Sequence, residues 1–154
     1  MKTLFKMMAL FLVLFCFAAC DDDEEIQTAL EVTPANLDGT WKLTEWNGNS
    51  LPENSYCYIT FSRKDKTYKM YQNFNSMYAK LITGKFNITK DEDYGYIIKG
   101  KYDYGNGSWN YSYIVTDLLP TGSMVWTAKE NPADVQRYEK CPSVPSHILD
   151  EIEK

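Results

Sequence analysis

From Gly39 onward, apolar side chains recur at every second position in short runs, and no stretch of this region holds a helical period. In residues 39–46, Trp41 and Leu43 share one face and Lys42 and Thr44 the other, the alternation of a half-buried strand. Asn47-Gly48-Asn49 turns the chain. Residues 56–62 set Cys57, Ile59 and Phe61 against Tyr56, Tyr58 and Thr60, and Arg63-Lys64-Asp65-Lys66 makes a charged tip before a strand from Tyr68 to Tyr71. Ile82, Gly84, Phe86 and Ile88 share a face of the next strand, where Gly84 predicts a bulge or sharp bend. Beyond the tip at Asp91-Glu92-Asp93 come Tyr96, Ile98, Gly100 and Tyr102, then the turn Gly105-Asn106-Gly107.

A strand over 109–116 carries the most aromatic face of the chain, with Trp109, Tyr111, Tyr113 and Val115. Pro120-Thr121-Gly122 leads into a strand over 124–127, and Asn131-Pro132 separates it from a last strand around 135–139. Eight strands joined by short turns predict an all-β fold, an eight-stranded antiparallel up-and-down barrel over residues 37–141, since closure removes the edges that would otherwise pair with other chains. Residues 142–154 form a tail in which 146–152 read as a short helix capped by Ser146, with Ile148, Leu149 and Ile152 against the barrel wall.

The N-terminal end has a different texture. Lys2 and Lys6 precede an apolar run that ends in Ala18-Ala19-Cys20, the layout of a secretory signal peptide over residues 1–19. The end of that run resembles the lipobox of bacterial lipoproteins. The resemblance implies cleavage before Cys20, lipidation of Cys20 through a diacylglycerol on its thiol, with palmitate among the acyl groups, and attachment to a membrane through it. Asp21-Asp22-Asp23-Glu24-Glu25 then repels itself and stays solvated, so residues 20–36 are expected to be a lipidated acidic tether. The acidic run resembles the signal that directs some lipoproteins across the outer membrane, so the expected location is the outer membrane, on either its periplasmic or its cell-surface face.

Composition narrows the chemistry. The net charge of −5 becomes −7 once Lys2 and Lys6 leave with the signal, and Arg63 and Arg137 are the only arginines, so nucleic acid is not an expected partner. In an oxidising compartment Cys57 and Cys141 are free to form a disulfide, worth about 4 kcal/mol by chain entropy, or to remain one buried and one exposed thiol. The single histidine, His147, lies in the tail, which leaves no multi-histidine metal site and no histidine-based triad in the barrel. Glu45, Asp117 and Glu139 are the acids placed in strands where an inward orientation would give acid–base chemistry, yet no spacing unites them. The chain is expected not to be an enzyme, to need neither cofactor nor metal, and to be a monomer.

Gly39-Thr40-Trp41 on the first strand, an eight-strand meander, and Arg137 on the last strand resemble the lipocalin and calycin superfamily, over about residues 37–140. The resemblance implies a structural pair in which Arg137 packs on Trp41 at a closed end of the barrel, and a compact bacterial lipocalin-like lipoprotein as the nearest type. The remaining aromatic residues then divide into two readings. Tyr68, Met70, Tyr96, Tyr102, Trp109, Tyr111, Tyr113 and Trp126 would line a cavity for a small hydrophobic or mixed-polarity ligand. Alternatively, Tyr56, Tyr58, Tyr71 and Tyr138 would face outward as a contact surface for a glycan or an envelope protein, with no internal ligand.

Overall fold

The structure, a computed structural model, describes residues 27–153; the signal segment, Cys20 and the acidic run lie outside them. The strands are β1 (Gly39–Trp46), β2 (Asn49–Ser50), β3 (Tyr56–Ser62), β4 (Thr67–Asn73), β5 (Lys80–Asp91), β6 (Gly95–Tyr102), β7 (Tyr113–Thr116), β8 (Ser123–Ala128) and β9 (Asn131–Cys141), flanked by helices α1 (Pro34–Leu37) and α2 (Ser146–Ile152). β1 pairs antiparallel with both β2 and β3, each strand from β3 onward pairs antiparallel with the next, and β1 also pairs with β9. That last pairing closes a barrel of eight strands, with the two-residue β2 folded back on the end of β1 as a hairpin extension.

Two apolar layers hold it. Inside, Trp41, Ile59, Phe61, Phe86, Ile98, Met124 and Trp126 fill one end of the barrel. Outside, α2 lays Ile148, Leu149 and Ile152 over Tyr56, Tyr58 and Tyr71 of β3 and β4, with Val144 and Cys141 beside them. Three of the four tyrosines expected to form an external contact surface are therefore covered by the chain's own helix. The fourth, Tyr138, faces inward and is fully buried. Ser146 is the first residue of α2 rather than its cap, which is Pro145 with no side-chain bond.

Part of the expected tether belongs to the body. Thr33 caps α1 by accepting from the Asn36 N–H, and Pro34 opens that helix, where its missing N–H is harmless. The turn seats Leu37, completely buried, under the barrel, with Val32 beside it. Leu37 O accepts from the Trp41 indole N–H at 2.8 Å. A helix this short offers no periodicity to read, which is why the sequence pattern misses it.

Arg137 does not cover Trp41. Register places Lys140 opposite Trp41, and Lys140 Nζ stands 5.3 Å from the ring centroid. Inward positions on β9 are Asp134, Gln136 and Tyr138, so Arg137 points out, where its Nε meets Glu45 Oε2 at 3.2 Å. Gly84 marks no bulge, since the β5 registers on both sides are unbroken. It admits a close approach instead: a Cβ there would stand 1.9 Å from Lys101 O. The true irregularities fall between Leu43 and Glu45 of β1, and between Thr127 and Ala128 of β8.

Candidate functional site: a cavity at the end of the barrel opposite Trp41

The bulge in β1 sets the site. Strict alternation from Trp41 and Leu43 would send Glu45 inward and Trp46 outward. One extra residue, Thr44, reverses both, so that Trp46 pairs with Gln136 on the inner side and Glu45 with Arg137 on the outer. Asn47 then clamps β9: its N–H donates to Val135 O at 2.7 Å, and its side-chain Oδ1 accepts from Val135 N at 2.8 Å.

Trp126 divides the interior. On one side its ring meets Phe61, 6.2 Å between centroids, in the filled end. On the other it borders a cavity of about 270 Å³ that opens to solvent past Trp46 and Phe74. Those two rings, each about a third exposed, meet edge to face at 5.3 Å.

Of the eight residues expected to line a cavity, Met70, Tyr102, Trp109, Tyr111, Tyr113 and Trp126 do. Tyr68 lies behind the wall and holds Trp109 in place: the Trp109 indole N–H donates to Tyr68 Oη at 2.8 Å, with the rings edge to face at 5.0 Å. Tyr96 stands apart, at a groove where residues 29–32 cross the barrel, and its hydroxyl donates to Glu31 at 2.7 Å. Trp109 is not on a strand. Residues 103–112 form an excursion between β6 and β7 that drops the indole onto Gly100, where a Cβ would stand 2.2 Å from the ring. Gly100 is what lets that ring enter the barrel.

The wall also contains a polar ladder that the sequence reading does not identify. Asp134, Gln136 and Tyr138 follow one another on the inner face of β9, all nearly buried. Tyr138 Oη donates to Gln136 Oε1 at 2.7 Å, and Gln136 Nε2 donates to Asp134 Oδ1 at 3.1 Å. Trp46 Nε1 donates to the same oxygen at 2.9 Å. Burial holds the Tyr138 phenol well above its ordinary pKa, with Cys57, Tyr113 and Asp134 adding to the rise. Burial, and then the nearby Asp134 charge, pushes Tyr113 up to about 12. These phenols are thus neutral donors across the physiological range. Trp126 Nε1 is buried and has no acceptor among the described residues.

Glu45 and Glu139 are turned outward, and Asp117 sits exposed past the end of β7, so none of these three acids enters the barrel. Asp91 ties its own turn, accepting from Asp93 N and Tyr94 N. Cys57 and Cys141 are free thiols rather than a disulfide. Cys57 belongs to the inner core and Cys141 to the layer under α2, so the barrel wall stands between them.

A closed eight-stranded barrel with an open-ended aromatic cavity is the architecture of a small-molecule binding protein. A family model described as a lipocalin-like domain matches residues 37–126, more than half of the chain, and the chain belongs to that family. Lipocalin-like proteins in general bind small ligands rather than act as enzymes. No curated protein and no solved structure matches the chain. The matched span ends before β9, so the polar ladder lies outside it.

Proposed function

We propose that this protein is a lipid-anchored envelope lipocalin-like protein that holds a small ligand of mixed polarity in the cavity between Trp46 and Trp126, without catalysing a reaction. The observation that carries the reading is the cavity itself. Its volume of about 270 Å³ lies just below the range of about 300–1,000 Å³ of drug-sized ligand sites, so it suits a compact molecule. Aromatic faces supply the apolar contact, and Gln72, Asp134 and Gln136 supply oriented polar groups.

Anchoring rests on the sequence before residue 27: a basic start, a short apolar run and the lipobox-like end at Cys20. The expected location is the outer membrane, on its periplasmic or cell-surface face. The contact-surface alternative has less support, because its tyrosines lie under α2 or inside the barrel.

Native mass spectrometry of the protein purified from its own host tests the carrier reading, which predicts a bound species of a few hundred daltons or less that is lost on denaturation. An empty barrel from cells grown under several conditions would count against it. Metabolic labelling with a palmitate analogue tests the anchor, with label expected on the parent and absent from Cys20→Ala.

A further inference from the structure

Among the described residues, Asp134 is the one Asp, Glu, Lys, Arg or His side chain lining the cavity, and it is 8% exposed. Among the described residues no Lys or Arg nitrogen comes within 4.0 Å of it; the ion pairs present are Lys129 with Asp91 and Arg137 with Glu45. Its two hydrogen bonds, from the neutral Trp46 indole and Gln136 amide, both end on Oδ1. Oδ2 takes neither. A largely buried carboxylate with no counter-charge beside it, one oxygen still free toward the cavity, is a favourable place for a single cation. The same cavity is lined by the rings of Trp46, Phe74, Trp109, Tyr111 and Tyr113, and aromatic faces attract a weakly hydrated positive charge.

We infer that the cavity selects a small organic cation, an amine or quaternary ammonium compound, whose charge sits at Asp134 while its apolar part lies among the aromatic rings. This rests on the ligand-binding reading above and names its chemical class. An anion, such as a fatty-acid carboxylate, would enter a site whose one formal charge repels it. A calcium ion would need six to eight oxygen ligands, whereas this wall supplies one carboxylate among rings, and no cluster of three His, Cys, Asp or Glu side chains exists among the described residues.

Calorimetric titration of the full-length protein with three near-isosteric probes tests the inference: 2-phenylethylamine, 2-phenylethanol and phenylacetate. The amine should bind roughly 10- to 100-fold more tightly than the alcohol, the range of a hydrogen bond to a charged group, and phenylacetate should bind weakest. Asp134→Asn, which keeps the acceptor for Trp46 and Gln136, should abolish the preference, so that the amine binds no more tightly than 2-phenylethanol. Equal affinities for amine and alcohol, or tighter binding of phenylacetate, would overturn the inference while leaving the ligand-binding reading intact. Should Asp134→Asn fail to fold, the order of the three probes on the parent still decides. If no probe binds, the cation inference falls, and the native mass spectrum decides separately whether the barrel is a carrier.

Discussion

Lys140 is the cross-strand neighbour of Trp41 and carries its ammonium 5.3 Å from the indole centroid, at the end of the barrel away from the cavity. The ring is also held from below by its hydrogen bond to Leu37 O. Trp41 is 1% exposed, so Trp41→Ala should destabilise by about 3 kcal/mol or more. Lys140→Ala should lose about 0.5–1 kcal/mol, the range of a partly solvated cation–π contact. Arg137→Ala, which breaks an exposed ion pair, should stay within about 1 kcal/mol. Urea unfolding of the three variants checks the order, and an Arg137→Ala loss as large as that of Trp41→Ala would contradict the register.

Gly100 sets the depth of Trp109. A methyl group there would overlap the indole, so Gly100→Ala should expel the ring, break its bond to Tyr68 and destabilise by about 1–3 kcal/mol, as overpacking does. Tryptophan fluorescence of the variant should move toward that of a solvated indole, and probe binding should weaken with it. An unchanged spectrum would mean that the loop over residues 103–112 is not fixed in this way.

Alkaline pH should unfold the protein earlier than its charge alone would suggest. Burial pushes Cys57 from 9.0 up to about 12, and Tyr68 and Tyr113 from 10.0 up to about 12, while Tyr138 is held well above its usual value. The folded chain keeps these protons where the unfolded chain has released them, so stability is intact below about pH 9 and falls as pH rises toward 12. Each fully buried group removes up to about 1.4 kcal/mol per pH unit within its window. Melting temperatures against pH, compared with Cys57→Ser, measure the thiol's share. Cys57 should also resist alkylation in the native state, whereas Cys141, partly exposed, should react.

The outer layer depends on Ile148, which is 1% exposed between α2 and the tyrosines of β3 and β4. Ile148→Ala should lose about 2–4 kcal/mol and leave the cavity intact, because its lining shares no residue with this layer. Stability and probe affinity measured on the same variant should therefore part company.

The strand pattern was legible because alternation is strong wherever one face is buried: β1, β3 and α2 begin and end where the sequence places them. Of the aromatic half of the cavity wall, Tyr102, Tyr113 and Trp126 were legible for the same reason, whereas Trp46 and Phe74 were not foreseen. The polar half was not legible. Asp134 and Gln136 stand at inward positions where alternation favours apolar side chains, which disguised the inward face of β9 and with it Tyr138, while the pairing of Arg137 with Trp41 came from the family resemblance alone. The bulge at Thr44 is equally silent, since one extra residue leaves no mark on composition yet decides that Trp46 enters the barrel and Glu45 leaves it. Trp109 reaches the interior through an excursion rather than a strand, and only the space above Gly100 reveals it.

The seam between β1 and β9 joins residues about ninety positions apart, as in the pairing of Glu45 with Arg137. Contacts of such long separation form late and slowly, because the chain between them must first be ordered. In this barrel the closing strand also carries the charged wall, and Asp134 meets Trp46 only once the seam is shut. The pocket is therefore complete only when the seam is shut. A ligand held there acts as a latch on the seam, so its first measurable effect should be on how slowly β9 peels away from β1.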